Sequence, residues 1–382
     1  EIPGSLVGSE MCIRDSDRDG AVYVGAHAIL IDRLIGGLVT AAEEHVFGTK
    51  ARFALMAVGG YGRGELAPLS DIDLLFVMPQ RHKKSDAEFV EFILYLLWDL
   101  GLKVGHASRT VHQNIAAASE DITIRTSLLE MRSIAGAAAV SEQMLSTFKH
   151  WVAHQSAAYF VEAKLAERDQ RHARFGGTRY AVEPNVKDGK GGLRDLHTLF
   201  WISKYAYRLD HVHGVLGASI LRSSEARAFA SSQRFLWTVR CFLHRHHGRE
   251  DDRLTFDAQM QIAPQMGFAD RSGLRGVERF MKRYYLAARQ VGNLTRIFCA
   301  ALATDFDQRP RLSLRKLWVA GVAQRLNIKP FTLEGERLHL PEKMRFRDNG
   351  DLICELFYLA QIHELDIHPD SLRRLTRAVR SL

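Results

Sequence analysis

The chain has 382 residues, of which 46% are hydrophobic, 25% are charged and 9% are aromatic. These proportions are typical of a folded globular protein, and they exclude a disordered tail, a collagen and a coiled-coil rod. The longest apolar run, residues 92–98, is far shorter than the ~20 residues that cross a bilayer. We therefore predict neither a membrane-spanning helix nor a membrane partner.

The net charge is +8, from 52 basic and 44 acidic residues. The excess is scattered along the chain, which is compatible with an anionic ligand such as a nucleotide but does not favour nucleic acid as a partner. The four cysteines form no Cys-x-x-Cys pair; they are Cys12, Cys241, Cys299 and Cys354. This spacing argues against a zinc knuckle or a disulfide framework and predicts reduced thiols in the cytoplasm.

The first 48 residues are predicted to hold one helix. Residues 1–16 begin without Met and have neither a basic nor an apolar region, so they look like a non-native leader and not like a signal peptide. Over residues 17–48, apolar residues such as Ile31 and Ile35 recur at helical spacing. We therefore expect an amphipathic helix that ends near Gly48.

A small α/β unit is predicted over residues 49–135. Its first two strands are the short apolar runs 53–58 and 72–78, which are separated by a glycine-rich turn. Three further segments follow: a helix over 87–100, a strand over 103–111, and a fourth strand or helix edge over 127–134.

Beyond residue 135, predicted strands nearly vanish. Amphipathic patterns predict long helices over 141–170, 195–209, 223–247 and 276–302. Near the end, the sequence predicts a hairpin about Glu334 and Gly335, followed by a helix over 352–363. The fold class is therefore predicted to be α+β, with a small mixed-sheet domain over 49–135 and a mostly helical domain over 136–382.

Two aspartates at the start of the second strand point to chemistry. In a strand, period-two geometry puts the carboxylates of Asp71 and Asp73 on one face, while Ile72 and Leu74 point into the core. Residues ~6.6 Å apart can share two divalent ions, which lie about 3.5–4 Å apart in two-metal sites. Two such carboxylates repel each other without a cation, so the pattern predicts a metal site, and oxygen ligands with phosphate partners favour Mg²⁺.

The turn before this strand is predicted to hold phosphates. Gly59 and Gly60 lack Cβ atoms and so allow a triphosphate to approach the main chain. Arg63 can place its guanidinium on phosphate oxygens, and Ser70 can cap the segment or donate to the same phosphates. A glycine pair is usually only a turn, and an Asp-x-Asp is usually a solvated strand end. Together at this spacing they indicate nucleotidyl transfer, in which a hydroxyl attacks an α-phosphate and pyrophosphate leaves.

These motifs resemble those of a known family. The stretch Gly59–Met78 resembles the DNA polymerase β-type nucleotidyltransferase superfamily. More narrowly, EPNVKDGKGGLRDLHTLFWI (183–202) and GREDDRLTFDAQMQIA (248–263) resemble bacterial PII uridylyltransferases. The resemblance covers residues 17–382, and in that family the protein continues into an HD-type phosphohydrolase domain and two ACT domains. The chain is therefore similar to the amino-terminal part, and we expect no uridylyl-removing activity from it.

The resemblance implies a two-metal enzyme that transfers UMP from UTP to a tyrosine hydroxyl of PII, a trimeric nitrogen-signalling protein. It assigns Asp71 and Asp73 to the metal pair, and Gly59, Gly60 and Arg63 to the nucleotide loop. The choice of UTP rests on the resemblance alone, because nothing in the loop selects uracil.

The superfamily also requires a third carboxylate on a neighbouring strand. Glu130 matches the Asp-x-Arg pattern of related enzymes, with Glu in place of Asp, and we predict it as the third catalytic and metal-binding residue. Asp121 is the rival, although it follows Ser119 and Glu120 and can equally start a helix.

A second loop leaves two interpretations open. Lys187, Lys190 and Arg194 can close over the triphosphate or receive the substrate protein, and we predict them as nucleotide-binding residues. Alternatively, the loop is a tight structural turn in which Asp195 caps the next helix and Arg194 pairs with a carboxylate.

Other functions are weaker fits to the sequence. An RNA or tRNA nucleotidyltransferase would need a basic track with stacking aromatics, which we do not find, and a non-catalytic nucleotide sensor usually loses one aspartate of the pair. A cluster of His244, His246, His247, Asp251 and Asp252 superficially resembles an HD metal site. It has no adjacent His-Asp pair, so we interpret it as a solvated helix end.

Overall fold

The computed structural model of the protein describes residues 19–208, 223–271, 273–306, 330–334, 337–341, 351–363 and 365–378. The predicted leader, residues 1–16, lies outside these described residues. The first element is helix α1 (Gly20–His45), which begins after the N-cap Asp19, whose side chain accepts a hydrogen bond from Ala21 N. It ends close to the predicted end at Gly48.

A mixed sheet follows, built from β1 (Ala54–Ala57), β2 (Ile72–Met78), β3 (Val104–Thr110) and β4 (Arg132–Gly136). The strand order is β3-β2-β1-β4. Strand β1 pairs antiparallel with β2 and with β4, whereas β2 and β3 are parallel. The predicted second strand matches β2 at both ends.

Short helices connect the strands of this sheet. One turn, α2 (Gly59–Gly62), joins β1 to β2, and α3 (Lys84–Asp99) crosses over between the two parallel strands. Two further helices, α4 (Val111–Glu120) and α5 (Ile122–Leu128), lead to β4. The predicted segment over 127–134 therefore contains the end of a helix and the beginning of a strand.

Apart from Asp73, every residue of the two central strands is buried, which explains their apolar sequences. One core lies between the sheet, α1 and α3; it includes Ile31, Ile35, Phe53, Phe76 and Ile93. The other core lies on the opposite face; it includes Met56, Val77, Phe148, Phe160 and Trp201.

Helix α1 is long and apolar enough to cross a membrane by length and composition alone. Its residues Ile31, Ile35 and Val39 are at most 5% exposed and belong to the core that contains Phe53 and Phe76. One face of the helix therefore packs in this core, whereas Ile29 and Leu30 on another face are 54% and 55% exposed.

The sheet is followed by α6 (Ala138–Ala153), α7 (Ala157–Arg174), α8 (Leu193–Tyr207), α9 (Ser223–His247), α10 (Phe256–Gln265) and α11 (Gly276–Phe306). The predicted helix over 141–170 is divided in two at Ser156, which caps α7 by accepting a hydrogen bond from Tyr159 N. The predicted helix over 223–247 matches α9 at both ends. The prediction of an α+β fold, a small mixed sheet followed by a mostly helical part, is confirmed.

By packing, the residues up to Val291 form one compact unit and those from Gly292 form a second. The predicted boundary between residues 135 and 136 falls inside the first unit. The reason is a shared core: Met56 of the sheet and Trp201 of α8 belong to the same hydrophobic cluster.

The second unit contains the predicted hairpin as β5 (Thr332–Glu334) and β6 (Arg337–His339), which pair antiparallel. The predicted tip residue Gly335 lies outside the described residues. Strand β7 (Asp366–Ile367) adds parallel to β6, and α12 (Asp351–Ile362) and α13 (Pro369–Ala378) complete the unit. Its core includes Leu338, Leu340, Leu356 and Leu375.

Candidate active site

Asp71 and Asp73 stand together at the beginning of β2. Both are exposed, while the alternating residues Ile72 and Leu74 are 3% and 1% exposed. The period-two alternation of a strand thus puts both carboxylates on the solvent side, as predicted. The negative charge of Asp71 acts directly on Asp73, so the two acids form one electrostatic site.

The Asp73 carboxylate lies in a cradle made by two glycines. A Cβ atom on Gly59 would come within 2.9 Å of Asp73 Oδ2, and one on Gly105 would come within 2.9 Å of Oδ1. Gly59 also has φ +59°, a conformation that favours glycine. Sequence reasoning singled out Gly59 but missed Gly105, because its position opposite Asp73 depends on the parallel register of β2 and β3.

The electrostatics of this cradle favour a bound cation. Desolvation raises the pKa of the Asp73 carboxyl, the neighbouring Asp71 and Glu250 raise it further, and the positive charge of Lys187 opposes them. An ionised Asp73 is therefore costly in the free chain. A divalent cation removes that cost by neutralising both carboxylates.

Ser70 and the turn before it supply a second unusual feature. The Ser70 Oγ atom is buried and has no hydrogen-bond partner within the described residues. The residue before it, Leu69, has φ +60°, which is rare for a residue with a side chain and stores backbone strain. An unpaired hydroxyl beside a strained turn, directly before Asp71, is an arrangement found at ligand sites.

The oxygen donors around Asp71 and Asp73 are of the kind that binds Mg²⁺. Mg²⁺ is typically held by one or two carboxylates together with waters and substrate phosphates. Asp71 and Asp73 provide such a pair, and the Ser70 hydroxyl before them has no hydrogen-bond partner within the described residues. Within the described ranges, no group of three or more His, Cys, Asp or Glu residues is arranged to hold a metal ion by itself. The donor set therefore fits Mg²⁺ shared with a phosphate ligand.

Arg63 and Glu130 form a buried ion pair. Arg63 Nη1 lies 2.5 Å from Glu130 Oε1, and the Trp201 indole N–H donates to the same carboxylate oxygen. The side chain of Glu130 is 1% exposed and that of Arg63 is 11% exposed. Burial raises the pKa of Glu130, and Arg63 only partly offsets this. With these partners, neither the predicted metal role of Glu130 nor the predicted phosphate role of Arg63 is favoured.

Two further polar residues complete this buried network, and sequence reasoning missed both. Arg63 Nε donates to Glu65 at 2.8 Å, and His197 Nε2 lies 3.2 Å from the same carboxylate. His197 Nδ1 faces an Arg63 nitrogen at 3.4 Å, so the ring is neutral with its proton on Nε2. Burial and the charge of Arg63 lower the pKa of His197 to about 3. The network thus ties the end of α2 to α8.

Asp121, the rival third carboxylate, starts a helix. It is exposed and is the N-cap of α5, where its side chain accepts a 2.6 Å hydrogen bond from Thr123 N. This is the ordinary capping role of an aspartate.

The second predicted loop brings one basic residue to the aspartate pair. The Asn185 side chain accepts hydrogen bonds from the backbone of Lys187 and Asp188 and so fixes the turn. Lys187 Nζ donates to Glu250 Oε1 at 3.0 Å, and the charges of Lys187 and Glu250 both act on Asp73. Lys187 is therefore near the site.

The other two basic residues of the loop have structural partners. Lys190 donates to the carbonyl oxygen of Gly177, and Arg194 Nε pairs with Asp188 at 3.2 Å. Asp195 accepts from Gly191 N at 2.8 Å. For Lys190 and Arg194 the contacts therefore match the structural interpretation of the loop, whereas for Lys187 they favour a role at the site.

In the histidine cluster at the end of α9, one residue does not fit the predicted solvated helix end. His246 is exposed, but His244 is completely buried. Its Nδ1 lies 2.6 Å from the carbonyl oxygen of Pro68, and its Nε2 lies 2.9 Å from Asp252 Oδ1. The interpretation was wrong for His244 because its contacts are with the turn before Asp71, which is remote in sequence.

Comparisons with known proteins agree with this architecture. A nucleotidyltransferase-domain model matches residues 47–119, and a GlnD PII-uridylyltransferase model matches residues 159–299. The first match contains the glycine cradle and both aspartates. The second contains the loop that carries Lys187 and the end of α9.

Curated relatives extend the similarity to nearly the whole chain. The bifunctional uridylyltransferase/uridylyl-removing enzyme of Azospirillum brasilense is 46% identical over 365 residues, which are 94% of this chain and 39% of the relative. The enzymes of the same name from Rhodospirillum rubrum and Rhodopseudomonas palustris are 45% and 42% identical, and the chain covers 38% and 40% of them. The chain thus spans about two fifths of the length of these relatives.

Strands β1, β2 and β3 of the mixed sheet and the aspartate pair lie in the part of the chain that matches a nucleotidyltransferase domain. More narrowly, the chain is similar over 94% of its length to bacterial bifunctional uridylyltransferase/uridylyl-removing enzymes.

The raised pKa of Asp73 predicts a stability effect. A carboxyl whose pKa is higher in the folded state than in the unfolded state destabilises the fold once the pH exceeds its unfolded value. We therefore expect Asp73→Asn to raise Tm by about 2 °C at pH 7.5 without divalent ions, and the gain to vanish at acidic pH. Thermal melts at both pH values measure this, and an unchanged or lower Tm at pH 7.5 would contradict it.

Because Glu130 pairs with Arg63, we expect substitution of Glu130 to lower the stability of the protein without changing metal binding. Glu130→Gln keeps an acceptor for Trp201 but removes the charge that faces Arg63, so we expect a loss of about 3 kcal/mol in the free energy of unfolding. Urea unfolding measures this loss. In parallel, Mn²⁺ affinity should match that of the parent; a loss of Mn²⁺ binding with normal stability would instead identify Glu130 as a ligand.

Proposed function

We propose that this chain transfers UMP from UTP to a tyrosine hydroxyl of the PII protein and releases pyrophosphate, using Mg²⁺. The observation that carries the proposal is the pair Asp71 and Asp73, exposed at the start of β2 with the Asp73 carboxylate cradled by two glycines. The names of the relatives support the uridylyl group, and the matching family description supports PII as the acceptor.

Each residue of the site has one task in this proposal. Asp71 and Asp73 hold Mg²⁺, which neutralises charge on the triphosphate and favours ionisation of the attacking hydroxyl. Ser70 Oγ, which lacks a partner within the described residues, donates to a phosphate oxygen. Lys187 adds positive charge near Asp73, and Gly59 leaves the space that the Asp73 carboxylate requires.

The remaining predicted residues support the site without touching the nucleotide. Arg63 and Glu130 fix the end of α2 through their ion pair. Lys190 and Arg194 stabilise the loop that presents Lys187. Gly60 lies in the same turn as Gly59, where a Cβ would come within 3.3 Å of Glu65 O.

The reaction is an in-line displacement at phosphorus. The tyrosine oxygen forms a bond to the α-phosphorus as the bond to the bridging oxygen breaks, and the hydroxyl proton passes to solvent. Pyrophosphate leaves with the electron pair of the broken bond. We place this reaction in the cytoplasm, where nucleotide and reduced thiols coexist; within the described residues Cys241 and Cys354 form no disulfide.

The aspartate pair gives the first test of this function. The double variant Asp71→Asn with Asp73→Asn should lower UMP transfer by about three orders of magnitude or more while the protein stays folded, because both side chains are exposed. Incorporation of labelled UMP into PII measures the rate. Asp121→Asn is the matched control, since asparagine also caps helices; near-parental transfer by the double variant would refute the assignment.

The unpaired hydroxyl gives a second test. Ser70→Ala removes a buried group without a partner, so we expect unchanged or slightly higher stability. If the hydroxyl binds a phosphate, KM for UTP should rise about 3- to 10-fold through the loss of one hydrogen bond. Steady-state kinetics and thermal melts separate the two effects, and an unchanged KM would remove Ser70 from the nucleotide site.

The same assay tests the substrates. With labelled UTP, ATP, CTP and GTP offered in turn, we expect label to enter PII from UTP. An RNA acceptor is the matched alternative, and transfer to RNA but not to PII would replace the proposed acceptor.

A further inference from the structure

The turn that precedes Ser70 and Asp71 is stabilised by a contact with a residue outside the sheet. Leu69, at its centre, has a left-handed backbone conformation, and the turn is closed by a single 3.3 Å hydrogen bond from Ser70 N to Ala67 O. A strained conformation persists only where its surroundings impose it. The neighbouring carbonyl of Pro68 is engaged by His244, so part of that constraint comes from α9.

Both ring nitrogens of His244 have partners. Nδ1 faces the Pro68 carbonyl oxygen at 2.6 Å, and Nε2 faces a carboxylate oxygen of Asp252 at 2.9 Å. The carbonyl can only accept, so the Nδ1–H group donates to it.

Asp252 links His244 to the other side of the site. It accepts a 2.7 Å hydrogen bond from Arg240 Nε, and Arg240 Nη2 donates to Glu250 at 3.0 Å. Glu250 in turn accepts from Lys187 Nζ at 3.0 Å. The contacts thus form a continuous chain from the turn before Asp71 to the lysine near Asp73.

We propose that His244 is a positioning residue of the transfer site: its Nδ1–H group anchors the Pro68 carbonyl and so fixes the turn that places Ser70 and Asp71. The inference rests on the proposed function of the aspartate pair. His244 itself does not touch the nucleotide. It keeps the Asp71 carboxylate and the Ser70 hydroxyl next to Asp73, whose own position is set by the sheet.

Two substitutions separate the two hydrogen bonds. In His244→Asn the amide nitrogen occupies the place of Nδ1 and can still donate to Pro68, whereas in His244→Gln it occupies the place of Nε2 and can donate only to Asp252. His244→Phe keeps the ring shape and removes both ring nitrogens. His246→Phe, on the exposed side of the same helix turn, is the matched control.

The experiment measures kcat for UMP transfer, Mn²⁺ affinity by electron paramagnetic resonance without nucleotide, and Tm for each full-length variant. We expect the Gln and Phe variants to lose about 10-fold or more in kcat and in Mn²⁺ affinity, the range typical of residues that orient metal ligands. The Asn variant should stay within a few-fold of the parent, and the control should be unchanged.

Two results would overturn the inference. One is equal behaviour of the Asn and Gln variants, with activity following Tm, because this is the pattern of a residue that only stabilises the fold. The other is parental kcat and Mn²⁺ affinity in the Phe variant. Failure of the proposed function looks different: the parent itself would not bind Mn²⁺, or the double aspartate variant would retain transfer, and both proposals would then fall together.

Discussion

Two like charges held side by side are the constraint on which this site depends. Asp71 and Asp73 repel each other, and desolvation disfavours the ionised form of Asp73. Both effects lower the stability of the folded chain. The arrangement persists because β2 is clamped between β1 and β3 with an apolar core on each face. The stability of the core offsets this electrostatic cost, which a bound divalent cation would remove.

The helical part supplies the second half of the site. Arg63, at the end of the glycine turn, is held by Glu130 from the sheet side and lies near Trp201 and His197 of α8. Lys187 comes from the loop before α8. The sheet therefore provides the carboxylates. The part of the chain that follows it contributes the positive charge of Lys187 and, through α8, the contacts that hold Arg63. Both parts lie in one compact unit.

Local patterns carried the sequence predictions that the structure confirmed. The alternation around Asp71 and Asp73 and the apolar run of β2 follow from neighbouring residues, so they could be predicted without tertiary information. The partners of Glu130 and His244 could not, because Arg63 is 67 residues away from Glu130 and Pro68 is 176 residues away from His244. The motif identified Glu130 as a candidate metal ligand but could not show that its carboxylate pairs with Arg63.

A crystal structure with Mn²⁺ and a non-hydrolysable UTP analogue tests the central claim most directly. Anomalous scattering should place at least one ion within about 2.0–2.3 Å of oxygens from both Asp71 and Asp73, with a phosphate oxygen of the analogue completing its coordination. Ions found only elsewhere, or an analogue bound away from the two aspartates, would contradict the account.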